Sequence, residues 1–461
     1  MRKAGILLHI SSLPGPYGCG TFGKNAYRFA DFLAASGFSS WQVLPFNLPH
    51  TDGCPYYSLS TFAQNPLFID PEILQEKGLL NQAEVTAIRN DTGAKNRESY
   101  LRQAAKRFSQ TPQAEKAKKF VRQRPNILQA CKFLARENPT EENLFYYTFL
   151  QYEFFCQWDR LHQYLTTRGI EVIGDIPYYV NLNSSELFYN RECFLLDENG
   201  LPEFVSGVPG DRFNEDGQKW GHPLYNTAEL KKQNYRLLFD RLAFAAEIYD
   251  VVRIDHFQAV GAFYAIPAAG HPREGHWEPG VGKPFVERLV TEIGKEKFVA
   301  EDFNLFPGGS YKLAMDYGLA DMQIHQSALS AGGTAADYQE NTVAYLGTHD
   351  CETLMGFWQS LNPETRQNIA ARLGADSQAT SPELCQLIIE DLLSCKARRV
   401  VLQGQDLLLE GNGSRMNIPG TISPKNWSWR LTEEKLALLE ATAGYWKRLL
   451  TDYNRITDSP K

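Results

Sequence analysis

The stretch YRLLFDRLAFAAEIYDVVRIDHF, residues 235–257, places an amphipathic helical pattern directly before a short run typical of a β-strand. In residues 235–249 apolar side chains recur near a spacing of 3.6, which predicts a helix with one buried face. In residues 251–257 polar and apolar side chains alternate in part, as they do along a strand. A helix followed at once by a strand is the repeating unit of a parallel α/β fold.

The same unit recurs along the chain. Helical patterns such as residues 26–36 and 154–169 lie between short β-type runs. Eight strand–helix alternations predict an α/β fold of the (β/α)8, or TIM barrel, type with helical and loop insertions. The eight predicted strands are GILLHI (5–10), WQVLP (41–45), VIGDIPYYV (172–180), VVRIDHF (251–257), FVAEDF (298–303), ADMQIHQ (320–326), VAYLGTHD (343–350) and VVLQGQDLL (400–408).

The predicted strands are unevenly spaced, and the long intervals indicate insertions. Residues 72–145, rich in Lys, Glu, Gln and Ala, predict a helical insertion subdomain. Residues 181–225, rich in Gly, Pro, Asn and aromatic residues, predict a loop-rich insertion over the active-site cleft. Because barrels of this type extend beyond about 400 residues when they carry insertions, we expect residues 1–461 to form one catalytic barrel.

Composition argues against several classes of partner. The net charge of −7 and pI near 5.8 are unsuited to a protein that binds phosphate backbones, so we expect no nucleic acid partner. No apolar run approaches the length of a membrane span, and His9 and Pro14 interrupt the N-terminal apolar run before a signal-peptide core is complete. The eight cysteines form no CxxC pair, so we expect no structural metal, no cofactor and a cytoplasmic location with reduced thiols.

Three acidic residues, Asp255, Glu301 and Asp350, each end a short apolar run. A carboxylate at the edge of a buried strand is unfavourable unless it is paired or takes part in chemistry. Any one of them could instead cap a helix or pair with an arginine, and for Asp302 and Asp406 we prefer that structural interpretation. Three in similar settings favour acid/base and nucleophilic catalysis.

Other polar residues are expected to lie beside these carboxylates. Strand alternation places Arg253 and Asp255 on one face, while Glu301 ends its own strand. Since the catalytic face of such a barrel lies at the C-terminal strand ends, we expect Arg253 and His349 to lie in the same site. Asp175, in GDIPYYV, is a fourth candidate acid, with a strand-end turn as the competing interpretation.

Two other motifs indicate different chemistry, and both are weak. GCGTFG, residues 18–23, matches the dinucleotide pattern GxGxxG, but seven residues separate it from the preceding strand, whereas the phosphate-binding turn follows its strand directly. Cys351 stands beside His349 and Asp350, but adjacent residues rarely form a thiol catalytic centre. A Gly/Pro-rich loop explains the first motif without a cofactor.

Together, RIDHF (253–257), AEDF (300–303) and GTHD (347–350) resemble the 4-α-glucanotransferases, or amylomaltases, of glycoside hydrolase family 77 in the α-amylase superfamily. The resemblance covers nearly the whole chain. Other matching segments are LLHISSLPGPYGCGTFG (7–23), WQVLPF (41–46), PYYSLSTFAQNPLFID (55–70), GIEVIGDIPYYV (169–180), SGVPGDRFNEDGQKWGHPLYN (206–226), GSRMNIPGT (413–421) and NWSWRL (426–431).

The resemblance implies a retaining double displacement on α-1,4-glucans, with a glucose or maltooligosaccharide acceptor. Asp255 would be the nucleophile, Glu301 the acid and then the base, and Asp350 would hold the 2- and 3-hydroxyls of the sugar. Carboxyl groups about 5 Å apart interact by roughly 3 kcal/mol, or two pKa units, at an effective dielectric of 20. We therefore expect Glu301 to stay protonated near neutral pH, while Arg253 keeps Asp255 ionised.

The resemblance also implies substrate contacts. His256, His349 and Asp175 match positions that bind the sugar in the cleaved subsite, and Tyr56 matches a stacking platform below it. The remaining implied contacts are Asn417 near the subsite, and Phe213 and Trp220 in a loop that covers the cleft. The chain departs from the family pattern at Thr21, Tyr57, Arg212, Gln258 and Cys351, which bears on acceptor preference, donor length and cyclisation.

Two alternatives remain at the level of sequence. An α-glucan hydrolase of the same superfamily would use the same two carboxylates with water as acceptor, and would differ in how its loops exclude water. A non-catalytic glucan-binding barrel would bind maltooligosaccharides without turnover, although the intact acid set argues against it. The oligomeric state and the metabolic role cannot be read from the chain.

Overall fold

The computed structural model describes residues 2–50, 53–210 and 215–456. The strands in these ranges are β1 Lys3–Leu7, β2 Ser40–Gln42, β3 Asn47–Pro49, β4 Ser58–Gln64, β5 Glu171–Pro177, β6 Phe204–Val208, β7 Gln218–Pro223, β8 Val251–Asp255, β9 Ala262–Pro267, β10 His276–Pro279, β11 Phe298–Ala300, β12 Asp321–Ile324, β13 Thr342–Tyr345 and β14 Arg399–Gln403.

The α-helices in the same ranges are α1 Lys24–Ser36, α2 Pro71–Glu76, α3 Gln82–Asn90, α4 Ala94–Phe108, α5 Ala114–Arg122, α6 Pro125–Leu134, α7 Glu141–Thr166, α8 Ser185–Tyr189, α9 Thr227–Lys232, α10 Arg236–Ile248, α11 Gln258–Gly261, α12 Gly282–Glu292, α13 Ser310–Asp316, α14 His325–Ser330, α15 Leu354–Ser360, α16 Pro363–Arg372, α17 Ser381–Ser394, α18 Glu433–Ala441 and α19 Ala443–Asp452.

Eight parallel strands form a barrel in chain order. The order in the sheet is β11-β8-β5-β2-β1-β14-β13-β12, with β1 paired to β14. Between β11 and β12, Val299 and Ala320 form a parallel bridge, and the N–H of Ala300 donates to Ala320 O at 2.8 Å. The predicted α/β barrel with eight strands is therefore confirmed.

Side-chain alternation separates the barrel interior from the helix layer. Val251 belongs to a cluster inside the barrel, whereas Val252 and Ile254 belong to the large core outside it. Because alternate residues of a strand share a face, Arg253 and Asp255 lie on the interior side with Val251. The predicted inward direction of the Arg253 and Asp255 side chains is confirmed. The interior cluster consists of Leu7, Leu44, Ile173, Val251, Val299, Met322, Val343, Tyr345, Val401 and Met416.

The insertions contain more regular structure than the sequence indicated. Residues 72–145 include α3 to α6 and parts of α2 and α7. Residues 181–225, predicted as loops, contain α8, β6 and β7, and the last two join an antiparallel sheet in the order β10-β9-β6-β7. The glycines and prolines of this segment make its strands hard to predict, since both residues are depleted in strands. The domain limits themselves stay predictions.

Within the described ranges, no helix is both long enough and apolar enough to cross a bilayer.

Asp406 holds the start of α15, the first helix after the Asp350 loop. It is fully buried, and its Oδ1 accepts from the N–H of Leu354 at 2.7 Å. Burial raises the pKa of Asp406 to about 7, and hydrogen bonds from the N–H groups of Leu354 and Gln403 oppose that rise. This agrees with the structural interpretation of Asp406.

We expect Asp406→Asn to stabilise the protein above pH 7. The raised pKa means that the folded state keeps its proton while the unfolded state loses it near pH 4, so folding stability falls as pH rises from about 4 to 7. The amide can keep the acceptor for Leu354 without the buried charge. Unfolding by denaturant at pH 5 and pH 8 should show a relative gain of about 3 kcal/mol at pH 8.

Asp452→Asn, at an exposed site in α19, is the matched control and should show no pH-dependent gain. An Asp406→Asn protein that lost stability equally at both pH values would contradict this role of burial.

Candidate active site

Arg253 lies at the centre of a carboxylate cluster. The side chain is 1% exposed and projects from β8 into the barrel. Its Nη1 donates to Asp175 Oδ1 and Oδ2 at 2.8 and 2.7 Å and to Asp255 Oδ1 at 3.0 Å. Its Nη2 lies 2.5 Å from Glu301 Oε1. One guanidinium group therefore brings together acids from the ends of β5, β8 and β11.

Asp255 and Glu301 contact the same guanidinium group. Arg253 Nη1 donates to Asp255 Oδ1 at 3.0 Å, and Nη2 lies 2.5 Å from Glu301 Oε1. Burial raises the pKa of Asp255 well above its usual range, with Glu301 adding to the effect and Arg253 opposing it. Burial also raises the pKa of Glu301, but Arg253 and the N–H of His256 outweigh it, so the pKa of Glu301 is lowered.

The expectation from the sequence has Arg253 beside Asp255 alone, with Asp255 charged and Glu301 neutral. In the structure Arg253 Nη2 reaches Glu301 at 2.5 Å, closer than Nη1 reaches Asp255. The charge of Arg253 therefore acts on both acids, and the protonation states of the pair stay a prediction.

His256 fixes the position of Glu301 through its backbone. Its φ of +51° lies in the left-handed region, which is uncommon for residues other than glycine and occurs at functional sites. In this conformation its N–H donates to Glu301 Oε2 at 2.7 Å. Burial lowers the pKa of His256 to about 4, so the ring is neutral at neutral pH. Its buried Nε2 has no hydrogen-bond partner within the described residues.

Aromatic residues of the predicted cleft loop are only partly described. The ring of Trp220 contacts His256 edge-to-face at 4.7 Å, so this residue reaches the site. Phe213 lies outside the described residues, as does the departure at Arg212.

Tyr56 connects two parts of the site. Its hydroxyl donates to Asp175 Oδ2 at 2.7 Å. Its ring stacks on His349 with centroids 5.0 Å apart and an interplanar angle of 13°. Burial raises the pKa of Tyr56, and the Asp175 charge raises it further, so the hydroxyl stays protonated as a donor.

Asp350 is held on the other side of the barrel mouth. Its Oδ1 accepts from Asn417 Nδ2 at 2.7 Å and lies 3.4 Å from His349 Nε2. The backbone of Asn417 donates to His349 O at 3.1 Å, and Arg415 Nη2 donates to Asp350 O. With its side chain 40% exposed, the Asp350 carboxylate remains accessible to a sugar.

The structure thus joins all but one of the predicted site residues in one network of contacts. Phe213 is the exception, because it lies outside the described ranges. The joined residues are Tyr56, Asp175, Trp220, Arg253, Asp255, His256, Glu301, His349, Asp350 and Asn417.

Departures from the family pattern make local contacts. Gln258 Nε2 donates to Pro307 O at 2.7 Å, and its Oε1 accepts from Ser310 Oγ at 3.3 Å. These two hydrogen bonds connect the loop after Glu301 to the start of α11. Cys351 Sγ lies 3.5 Å from Thr348 Oγ1. These contacts orient loops beside the acids and leave the acids themselves in place.

Two further departures lie on the loops around the barrel mouth. The ring of Tyr57 contacts His222 at 5.4 Å. Thr21, within the glycine-rich loop before α1, donates to Asp70 Oδ2. The structural role of Thr21 agrees with reading GCGTFG as a loop.

Trp427 is a site residue that the sequence argument missed. It has a φ of +62°, and its ring contacts both Tyr56 and His349 at 5.8 Å. The segment NWSWRL matches the family, but a tryptophan in it is equally consistent with packing. The left-handed backbone of Trp427 could not be read from the residue type, since large side chains rarely adopt it.

The arrangement can support acid/base and nucleophilic chemistry at one carbon. Two carboxyl groups contact one guanidinium group, a third carboxylate is accessible, and a stacked aromatic pair forms one wall. No group of three or more His, Cys, Asp or Glu residues in the described part of the chain has the geometry to hold a metal ion.

Comparisons with known proteins agree with this chemistry. A family model described as 4-alpha-glucanotransferase matches residues 8–135 and 129–435. The 4-alpha-glucanotransferase of Aquifex aeolicus is 32% identical over 492 residues, covering 99% of this chain and all of that protein. The chloroplastic/amyloplastic 4-alpha-glucanotransferase of Solanum tuberosum is 32% identical, covering 99% of this chain and 87% of that protein.

Solved structures give the same result. The amylomaltase from Streptococcus agalactiae in complex with acarbose superposes with a TM-score of 0.93 at 28% identity, covering 99% of this chain and 100% of that one. The amylomaltase from Corynebacterium glutamicum shares the fold, with a TM-score of 0.80 at 16% identity, covering 99% of this chain and 75% of that one.

Proposed function

Because the chain belongs to the 4-alpha-glucanotransferase family, glycoside hydrolase family 77, we propose that Asp255 and Glu301 perform its reaction in two displacement steps. The family makes it a transferase acting on α-glucans. We assign the donor as an α-1,4-glucan and the acceptor as the 4-hydroxyl of glucose or a maltooligosaccharide. The single observation that carries the residue roles is that Arg253 contacts both Asp255 and Glu301, at 3.0 and 2.5 Å.

In the first step Asp255 attacks the anomeric carbon and Glu301 protonates the leaving glycosidic oxygen. In the second step Glu301 removes a proton from the acceptor hydroxyl, which attacks the glycosyl–Asp255 ester. Both steps invert the carbon, so the α-configuration is retained. That one guanidinium group contacts both acids supports this assignment, since a retaining pair must lie close enough to reach the same glycosidic bond.

The first step requires Glu301 to be protonated. The proton must lie on Glu301 when the glycosidic oxygen arrives, yet Arg253 and the His256 N–H lower the pKa of Glu301 in the free site. A sugar that separates Glu301 from Arg253 would raise the pKa of Glu301, because it removes the charge that lowers it.

The other site residues bind and orient the sugar. Asp350, held by Asn417 at 2.7 Å, accepts hydrogen bonds from the 2- and 3-hydroxyls and stabilises the positive charge that develops on the ring. The Tyr56–His349 stack provides an apolar face for the sugar. Asp175 is occupied by Arg253 and Tyr56, so its main effect is to orient those two groups.

Maltotriose incubated with the purified protein should yield glucose together with a ladder of longer maltooligosaccharides. Transfer conserves the number of reducing ends, whereas hydrolysis raises it, so a reducing-end count taken over the same time course separates the two. A rise in reducing ends without the ladder would show the hydrolase instead. Binding of maltotriose with no products would show the non-catalytic barrel.

We also propose that the enzyme works in the cytoplasm. Cysteines buried in the core, such as Cys131 and Cys385, remain thiols in the structure, as expected in a reducing compartment. Fractionation of cells with an antibody to the chain should place it with cytoplasmic markers.

A further inference from the structure

Gln258, one of the departures from the family pattern, is the first residue of α11 and lies three positions after Asp255. Its side chain is buried, with 5% exposure. Nε2 donates to Pro307 O at 2.7 Å, and Oε1 accepts from Ser310 Oγ at 3.3 Å. One buried amide therefore joins the segment after Asp255 to the segment after Glu301, and it uses both its donor and its acceptor to do so.

The loop that these contacts hold, residues 302–309, lies between the end of β11 and the start of α13. Most of its residues are exposed, including Phe303 at 37% and Leu305 at 53%. The ring of Phe306 contacts Trp277 of β10 at 5.4 Å. Because a loop with so little buried apolar surface opens easily, buried hydrogen bonds at its base have a large share in fixing its position.

The 302–309 loop also packs directly against α11 through its backbone. A Cβ added at Gly261, the last residue of α11, would lie 2.7 Å from Gly308 O and 2.9 Å from Ser310 Cβ. Gly308 itself has a φ of +109°, and a Cβ there would lie 2.6 Å from Ala262 Cβ. Only glycine allows both the backbone conformation and this close approach, so the amide of Gln258 reaches a loop that is already in contact with its own helix.

The position of the 302–309 loop relates it to the acceptor. In the proposed reaction Glu301 protonates the leaving oxygen and later deprotonates the acceptor, so the acceptor sugar must lie on the Glu301 side of the cleaved bond. Phe303 and Leu305 follow Glu301 by two and four positions and expose apolar side chains. Such side chains can cover the C–H face of a pyranose and exclude water from it.

We propose that Gln258 is a positioning residue that favours a sugar over water as the acceptor, because it holds the 302–309 loop beside the glycosyl–Asp255 ester. The inference rests on the proposed function. In the second step the acceptor oxygen bonds to the anomeric carbon, its proton passes to Glu301, and the bond to Asp255 breaks with its electron pair returning to the carboxylate. A sugar hydroxyl in this role gives a longer glucan, whereas water gives a free reducing end.

Gln258→Met tests this role, because it removes both hydrogen bonds and keeps nearly the same side-chain length. With α-maltosyl fluoride as donor and glucose as acceptor, the initial rates of maltotriose and maltose formation report transfer and hydrolysis. We expect the KM for glucose to rise about tenfold and the ratio of hydrolysis to transfer to rise by a similar factor, since two buried hydrogen bonds no longer hold the loop. Without glucose, the initial burst of fluoride reports the first step alone and should stay within about twofold of native.

Two further variants separate the loop from a general loss of stability. Phe303→Ala/Leu305→Ala removes the exposed apolar side chains of the loop, leaves Gln258 in place, and should raise the KM for glucose in the same way. Gln151→Met is the matched control. Gln151 of α7 is 1% exposed, its Oε1 accepts from the N–H of Gln64 at 2.8 Å, and its Nε2 donates to Gln64 O at 3.1 Å. This control loses two similar hydrogen bonds and should change neither the KM for glucose nor the hydrolysis ratio.

Several results would overturn the positioning role of Gln258. These are an unchanged KM for glucose in Gln258→Met, a fluoride burst slowed as much as transfer, an equal effect of Gln151→Met, or an unchanged KM in Phe303→Ala/Leu305→Ala. Failure of the native protein to form maltotriose from α-maltosyl fluoride and glucose would instead refute the proposed function itself.

Discussion

Asp255→Asn should slow glucan transfer from maltotriose by at least about 10⁴-fold, the scale on which removing a nucleophile acts in a two-step enzyme. An amide cannot form the glycosyl ester, and the site has no second carboxylate in the same position on β8. The side chain is nearly isosteric, so the contact with Arg253 Nη1 at 3.0 Å can be kept through the amide oxygen. The readout is the rate of glucose release, measured alongside the thermal unfolding temperature.

Asp302→Asn is the control for this variant. Asp302 follows Glu301 directly and is buried, and its Oδ1 accepts from the N–H of Asn304 at 2.8 Å, which an amide oxygen can also do. We expect transfer by this variant to stay near the native rate. If Asp255→Asn kept a tenth or more of native activity, Asp255 could not be the nucleophile.

Glu301→Gln should lower transfer from maltotriose by about 10²–10⁴-fold, because both the protonation of the leaving oxygen and the deprotonation of the acceptor lose their catalyst. The loss of activity should depend on the leaving group of the donor and on the nucleophile of the acceptor. With α-maltosyl fluoride as donor and azide as acceptor, neither step needs Glu301, since fluoride leaves without a proton and azide attacks without losing one.

We therefore expect Glu301→Gln to recover most of its activity with these reagents and to release α-maltosyl azide, the retained product of two inversions. Asp255→Asn serves as the contrast, because direct attack of azide on the α-fluoride would give the β-azide. Failure of azide to restore the Glu301→Gln variant would show that Glu301 is not the acid/base.

Sequence reasoning reached the barrel and the acids because those signals are local. The run VVRIDHF fixes by alternation that Arg253 and Asp255 point inward, and chain order alone places neighbouring strands side by side in a parallel barrel. β6 and β7 were missed, because their glycines and prolines lower strand propensity and only sheet pairing, of β6 with β9 and of β7 with β6, holds them extended. The way Arg253 divides its contacts between Asp255 and Glu301 was also beyond the sequence.

That division of contacts depends on tenths of an ångström between atoms distant along the chain. Arg253 approaches Glu301 more closely than Asp255, and the left-handed backbone of His256 turns its N–H toward the same carboxylate. Residue types indicate that Arg253 will lie near both acids. Which of the two it contacts more closely is set by side-chain geometry. The contacts of Trp427 likewise depend on its left-handed backbone conformation, which cannot be inferred from the residue type.

The ties from Arg415 and Asn417 to Asp350 have a consequence for how the enzyme is made. These two residues follow Asp350 by 65 and 67 positions, and β14, which completes the barrel against β1, lies between. A nascent polypeptide on the ribosome therefore lacks the support for its third acid until synthesis has passed Asn417. Translation products that stop before Arg415 would carry both reacting carboxyl groups and still be poor enzymes.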